Sequence, residues 1–221
     1  MMIKEKKAGI GIFLICFAVV TAFTVILIIP DTRTVFAELS GTYPFLTAFV
    51  KFALLATVGE LIAVRMVKHE WTMPDNILAR ALIWGILGMF IALAFKIFGA
   101  GVDHVLSDGI LPGGNNKFWE AFMTSLWCNI FFGPFMMGFH KMTDTYLALK
   151  SRGMKQIGVD HVVEAVNWKE FFSFTLLKTL PFFWIPAHTV TFMLPGEFQI
   201  IMAAYLSIAL GIILNLKKTI I

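Results

Sequence analysis

Residues 9–29 read GIGIFLICFAVVTAFTVILII, a run of 21 residues without a single charge. About 20 helical residues cross the hydrocarbon core of a bilayer, which is roughly 30 Å thick. The run could instead belong to a signal peptide, since Lys4, Lys6 and Lys7 precede it and Val35-x-Ala37 resembles a cleavage site. Signal peptides, however, have only about 7–15 apolar residues in this region. The length therefore favours a retained membrane anchor.

The composition of the whole chain indicates the same environment. Of its 221 residues, 58% are hydrophobic and only 14% are charged, whereas soluble domains have about 25% charged residues. The charges lie in short polar stretches between long uncharged ones, as in a protein that crosses a membrane several times. The sequence has no basic surface interleaved with aromatic residues, so it does not predict a nucleic-acid partner. Cys16 and Cys128 lie within apolar runs and predict neither a disulfide framework nor a metal site.

Six segments are long and apolar enough to be membrane spans. They contain no alternation with a period of two, which a membrane β-barrel would require, so helices are expected. We predict an all-α integral membrane protein, a bundle of six transmembrane helices forming a single polytopic domain over residues 1–221, with spans near 9–29, 44–64, 77–98, 118–139, 171–193 and 198–216.

The distribution of Lys and Arg predicts the orientation of these spans. Positively charged residues accumulate on the cytoplasmic side of membrane proteins. With both termini cytoplasmic, the opposite side holds only Arg33 and Lys117. The cytoplasmic side then holds thirteen: Lys4, Lys6, Lys7, Arg65, Lys68, Arg80, Lys141, Lys150, Arg152, Lys155, Lys169, Lys217 and Lys218. This asymmetry predicts an even number of crossings.

Small residues follow one face of the second span and one face of the third. The first set is Ala53, Ala56 and Thr57, next to Glu60, and the second is Gly85, Gly88, Ala92 and Gly99. Small side chains allow another helix to approach closely, so we interpret both faces as helix-packing surfaces.

A polar stripe runs along the fourth span. At 100° per residue, its members lie within about 100° of one another; they are Ser125, Asn129, Gly133, His140 and Asp144. Such a stripe faces protein or water rather than lipid. Two interpretations stay open: the stripe packs against another helix, or it lines a cavity.

Among the charged residues within the predicted spans, three are the most costly to bury. They are Lys51, Glu60 and Lys178. Lys178 lies ten residues beyond Trp168, too deep for its ammonium to reach the cytoplasmic surface easily. A charged group at this depth costs roughly 2.5–3.5 kcal/mol unless it is paired or hydrated, so these three residues are candidates for a functional polar cavity.

The stretch WIPAHTVTFMLPG, at residues 184–196, places prolines and polar residues in an apolar region. Pro186 and Pro195, together with the preceding Pro181, lack backbone N–H groups and are expected to kink or interrupt the fifth span. His188, Thr189 and Thr191 are candidates to satisfy the freed carbonyls, which a membrane tolerates only beside protein or water. Helices broken in this way occur at transporter sites, although a packed kink is the simpler alternative.

The same stretch resembles the signature of the twenty-two-kilodalton peroxisomal membrane protein family, which includes the Mpv-seventeen-type mitochondrial proteins. Trp184 and Phe192 keep the spacing of that signature, and Pro186 and Pro195 are each displaced by one position. His188, Thr191 and Gln199 stand where the family has glutamine, asparagine and arginine.

Two further segments carry the resemblance, which covers about residues 43–216. YPFLTAFVKFALLATVGELIA resembles an early segment of the family, with Gly59 kept and Glu60 replacing an aspartate. GPFMMGFHKMTD resembles another, and it places Gly133, Pro134, Gly138, Lys141 and Asp144. The family usually has about four spans, so this chain adds two. The resemblance implies a weakly selective membrane channel.

No catalytic or cofactor motif is recognisable in the sequence. Asp160, His161 and Glu164 could be metal ligands, but no second ligand group of matching spacing accompanies them, and acidic residues are typical of a helix start. We therefore expect neither an enzyme nor a metal or cofactor, but a multi-pass channel or transporter-like protein for small solutes. The alternative is a non-transporting membrane scaffold or assembly factor. The expected partners are the lipid bilayer (the cytoplasmic membrane in a prokaryote) and a small solute, and a homo-oligomer is left open.

Overall fold

The computed structural model describes residues 2–113 and 116–220, with side chains described for residues 9–113 and 116–213. Its elements are α1 (Met2–Ile28), α2 (Pro30–Thr42), α3 (Pro44–Lys68), α4 (Ile77–Ser107), α5 (Lys117–Ser151), α6 (Val159–Ala165), α7 (Trp168–Glu170), a π-helix (Phe171–Trp184), α8 (Ile185–Phe192) and α9 (Gly196–Ile220). The side chains of Lys4, Lys6, Lys7, Lys217 and Lys218, on which the predicted orientation partly depends, lie outside the described residues.

Within the described part of the chain, five helices are long and apolar enough to cross a membrane. They are α3, α4, α5 and the apolar parts of α1 and α9, at Gly9–Ile28 and Gly196–Ile213. The described residues form no strand. The predicted all-α class is therefore confirmed for the described residues, and the five candidate spans are compatible with a multi-pass membrane protein.

Three of these helices extend beyond the apolar runs that predicted them. The predicted spans end at residues 64, 98 and 139, whereas α3, α4 and α5 continue to Lys68, Ser107 and Ser151. Helical hydrogen bonds continue through polar residues, whereas hydropathy detects only the apolar part. The left-handed backbone at His69, Gly109 and Gly153, where φ is 59°, 70° and 87°, cannot continue a helix and lies just beyond each end.

The predicted fifth span, residues 171–193, is not one α-helix. It stays helical through Pro181 and Pro186 but consists of the π-helix followed by α8. At the junction the backbone N–H of Ile185 donates to the carbonyl of Leu180, five residues earlier. The two prolines therefore coincide with a change in helix type rather than with a break, and Pro195 lies in the turn before α9.

The chain divides into two compact units. The first comprises Met1–Met89 with Ile200–Ile221, and the second Phe90–Gln199. In the first unit a Cβ on Gly88 would lie 2.7 Å from the carbonyl oxygen of Ala48, and a Cβ on Gly59 would lie 3.3 Å from Cα of Ile208. Helix α3 thus packs closely on α4 and α9, as small residues permit.

Candidate functional site

Helix α5 turns the first part of its polar stripe towards α8 in the Phe90–Gln199 unit. The hydroxyl of Ser125 donates to the carbonyl oxygen of Ile185 at 2.7 Å, and that oxygen also accepts from Thr189 Oγ1 at 2.7 Å. Asn129 Nδ2 donates to the carbonyl oxygen of Ser125 at 2.8 Å. Ser125 and Asn129 are 0% and 3% exposed. The stripe is therefore a buried hydrogen-bonded contact at this level, where polar atoms need such partners.

His188 is joined to this contact on its α8 side. Its Nδ1 lies 3.1 Å from Asn129 Nδ2, a contact in which the amide N–H donates when Nδ1 carries no proton. Three aromatic rings surround the imidazole: Trp184, Phe95 and Phe192, with centroids 5.1, 5.3 and 6.4 Å away. The result is a buried histidine between one polar partner and an aromatic wall.

A cavity of about 460 Å³ lies on the other side of that wall. Phe95 and Phe192, whose ring centroids are 4.5 Å apart, line the cavity and also contact His188. The remaining lining residues are Gly99, Lys117, Glu120, Ala121, Thr124 and Gln199. This volume is within the range of about 300–1,000 Å³ in which small-molecule sites occur.

The cavity lies at the end of the unit where α4 finishes and α5 begins. Lys117 and Glu120 are exposed, so they form its mouth. Thr124 is buried, with 3% of its surface exposed, and lines the interior together with Phe95. The cavity therefore combines charged groups at the entrance with an aromatic floor.

The other residues of the polar stripe, and the nearby residues Pro134 and Gly138, occupy different surroundings. Gly133 packs against the π-helix, because a Cβ there would lie 2.9 Å from Cδ1 of Leu180, and Gly138 faces Phe171 at 3.7 Å. Pro134 lies inside α5 without ending it. His140 and Asp144 are half-buried further along α5. None of these five residues lines the cavity.

The remaining predicted residues lie on the π-helix, on α8 or in the first unit. Lys178 is exposed on the π-helix, and Thr191 is buried with Oγ1 donating to the carbonyl of Ala187 at 3.0 Å. In the first unit, Glu60 accepts from Trp84 Nε1 at 2.7 Å and pairs with Arg80 at 3.4 Å. The cavity lining includes neither Lys178 nor Thr191.

Lys51 is buried in the first unit with few polar neighbours. Its ammonium donates to Ser40 Oγ at 2.7 Å and lies 4.4 Å from the centre of the Phe36 ring. Only 3% of the residue is exposed. The short helix α2, which carries Ser40 and Phe36, therefore covers this lysine.

Four residues that line the cavity were not predicted from the sequence: Phe95, Glu120, Ala121 and Thr124. A signal for the last three was present, because Lys117, Glu120, Ala121 and Thr124 recur at helical spacing along one face of α5. Comparison with family models, curated proteins and solved structures finds no match. The resemblance to the peroxisomal membrane protein family therefore stays a prediction.

Proposed function

We propose that the protein is a multi-pass channel or transporter-like protein that moves small solutes through the Phe90–Gln199 unit. The observation that carries this proposal is the cavity at the start of α5, whose aromatic wall separates it from the buried pair of Asn129 and His188. Intramembrane polar residues are functional more often than not. A polar cavity followed by a polar pair gives a solute two successive places to be hydrated or bound.

The proposal includes a sixth membrane crossing. The π-helix and α8 together run from residue 171 to residue 192 as continuous helix, which is long enough to cross the bilayer by the roughly 20-residue rule. With six crossings both termini lie on one side, and the excess of Lys and Arg favours the cytoplasm for that side.

Solute flux in proteoliposomes tests the proposal. We expect vesicles containing the purified chain to take up small polyols, sugars and amino acids faster than protein-free vesicles do. Gly99→Leu is the blocking variant, because Gly99 lines the cavity and a Cβ there meets no atom within 4 Å. We expect it to slow uptake several-fold without unfolding the protein.

Gly101→Leu is the matched control. Gly101 lies on the same helix and has the same free space around an added Cβ, but it lines a separate apolar cavity. Folded protein whose vesicles are no more permeable than protein-free vesicles would contradict the proposal. Retained co-purification of a partner together with that result would favour the scaffold alternative.

A further inference from the structure

We infer that the cavity at the start of α5 binds a small zwitterion, a solute that carries an ammonium group and an acidic group together with a compact apolar part. This inference rests on the proposed function, because it names the class of solute for the same site. Four features of the cavity support it.

The first feature is a pair of opposite charges at the mouth. Lys117 and Glu120 both line the cavity and are three residues apart on α5, so they lie one above the other on the same helix face. Among the described residues neither takes part in an ion pair within 4.0 Å. A ligand with one charge would leave one of them without a complement, whereas a zwitterion complements both.

The second feature is the position of the positive group. Lys117 is the first residue of α5, where free backbone N–H groups add partial positive charge. The acidic group of the ligand is therefore expected beside Lys117, and its ammonium group beside Glu120.

The third feature is the hydroxyl of Thr124. The residue is only 3% exposed, and its Oγ1 forms no hydrogen bond among the described residues. Among those residues, the fully buried side-chain oxygens without a partner are those of Thr57 and Thr72. The Thr124 oxygen is therefore reachable from the cavity that the residue lines, and a ligand or water is expected to bind it. Gln199 provides a second neutral group, since its Nε2 already donates to the carbonyl of Leu194 at 3.0 Å and its amide oxygen remains an acceptor.

The fourth feature is the aromatic floor. The rings of Phe95 and Phe192 form an apolar surface opposite the charged mouth. Such a surface accommodates the apolar part of a ligand, and aromatic faces also attract an ammonium group. The same chemistry is present in a free α-amino acid and in the head group of a zwitterionic lipid.

Equilibrium binding to the full chain in detergent tests the inference with matched probes. L-Phenylalanine carries both charges, phenethylamine only the ammonium, and 3-phenylpropanoate only the carboxylate. We expect L-phenylalanine to bind a few-fold more tightly than either singly charged probe, since a contact with an exposed charged side chain contributes at most about a fivefold change in affinity. Glycerophosphoethanolamine is the fourth probe and carries both charges without an apolar part. Binding of it without L-phenylalanine keeps a zwitterion at the mouth, assigns it to a lipid head group, and overturns the compact apolar part.

Variants at the mouth assign the binding to this cavity. Lys117→Gln is expected to make the affinity for L-phenylalanine equal to that for phenethylamine. Glu120→Gln is expected to make the affinity for L-phenylalanine equal to that for 3-phenylpropanoate. Both residues are exposed, so neither change threatens folding. Thr124→Val removes the Thr124 hydroxyl from the cavity lining and should weaken L-phenylalanine binding several-fold. Lys150→Gln, at the exposed far end of α5, is the control and should change nothing.

Equal affinity for all the probes, or no binding of either zwitterion by folded protein, would overturn the inference. Transport in proteoliposomes separates this failure from a failure of the proposed function. If Gly99→Leu slows uptake but no zwitterion binds selectively, the proposed channel function stands and the inferred zwitterion site is rejected. If a zwitterion binds selectively but no uptake is measured, the zwitterion site stands and the proposed transport function is rejected.

Discussion

At the scale of single residues, burial in a membrane protein depends on where each polar atom finds its partner. Ser125 reaches across to the backbone of α8, whereas most other hydroxyls in the described part of the chain bond to their own helix. A bond between two helices constrains their contact, and a bond within one helix does not. Ser125 makes such a bond between α5 and α8, and Lys51 on α3 bonds to the hydroxyl of Ser40 on α2.

Ser125→Ala is expected to lower the free energy of unfolding by about 1–2 kcal/mol, because Ser125 Oγ donates to the carbonyl of Ile185 at 2.7 Å and accepts from Asn129 Nδ2 at 3.3 Å. Thr189 still donates to the carbonyl of Ile185, which limits the loss. Chemical unfolding in detergent measures the effect. Ser207→Ala is the control, because among the described residues Ser207 bonds only to the carbonyl of Ala204 on its own helix. An equal loss in both variants would show that the inter-helix bond adds nothing.

Lys51→Met is expected to leave the free energy of unfolding unchanged or to raise it. The buried ammonium has one hydroxyl acceptor and one aromatic face among the described residues, and a methionine of similar length needs neither. Ser40→Ala should instead lower it by about 1–3 kcal/mol, since the ammonium then loses that acceptor. The same unfolding measurement checks both variants. A larger loss for Lys51→Met than for Ser40→Ala would contradict this account.

At the scale of elements, two features determine how the helices pack and bond. They are the glycine contacts of α4 and the change of helix type before α8. Gly88 and Gly99 occupy the same helix, but only Gly88 has another backbone against it. Pro186 is the second residue of α8 and is exposed, so its main effect is on backbone hydrogen bonding rather than on packing.

Gly88→Ala is expected to lower the free energy of unfolding by about 1–3 kcal/mol, the usual cost of overpacking. Its Cβ would lie 2.7 Å from the carbonyl oxygen of Ala48, so backbone has to move. Gly99→Ala meets no atom within 4 Å and should raise the free energy of unfolding by about 0.5–1 kcal/mol, because alanine favours helices. Parallel thermal unfolding compares the two. A neutral Gly88→Ala would rule out close α3–α4 packing.

Pro186→Ala is expected to keep or raise stability while transport falls. The alanine restores an N–H next to the junction of the π-helix and α8, which favours α-helical bonding there. The carbonyl of Ile185, which receives Ser125 and Thr189, then shifts. Unfolding and flux assays measure the two effects, with Pro134→Ala in the uniform helix α5 as control. Unchanged transport in a stable Pro186→Ala protein would show that the junction has no functional role.

At the scale of the whole molecule, the number of membrane crossings depends on the π-helix and α8. Five helices qualify by length and hydropathy, and residues 171–192 are the candidate for the sixth. An even number places both termini on one side, and an odd number separates them.

Labelling of single cysteines from either side of sealed vesicles is expected to place Asp108→Cys and Lys155→Cys on opposite sides, with tags at both termini on the Lys155 side. The physical reason is that α5 alone separates the two loops, and that two crossings follow the second loop if residues 171–192 also cross the membrane. Cys16 and Cys128 are buried and are first replaced by alanine. Termini on opposite sides would establish five crossings instead of six.

The sequence alone determined the membrane class, the all-helical architecture and the approximate position of five spans. These features depend on hydropathy and helix length, which are local properties of the chain. It also identified the glycine face of α4 and the polar residues Asn129 and His188, because glycines and polar groups are conspicuous in apolar helices. It did not predict that residues 171–184 form a π-helix, since the choice between helix types is made by packing against neighbours.

Only the tertiary structure decided which residues share a site. Asn129 and His188 are 59 residues apart in sequence and 3.1 Å apart between side-chain nitrogens. Phe95 and Thr124 are ordinary residues of apolar helices until the fold places them around one cavity with Gln199. Helical periodicity shows which side of a helix is distinctive, but not which other helix lies opposite. A cavity formed by several separate segments exists only once those segments are packed.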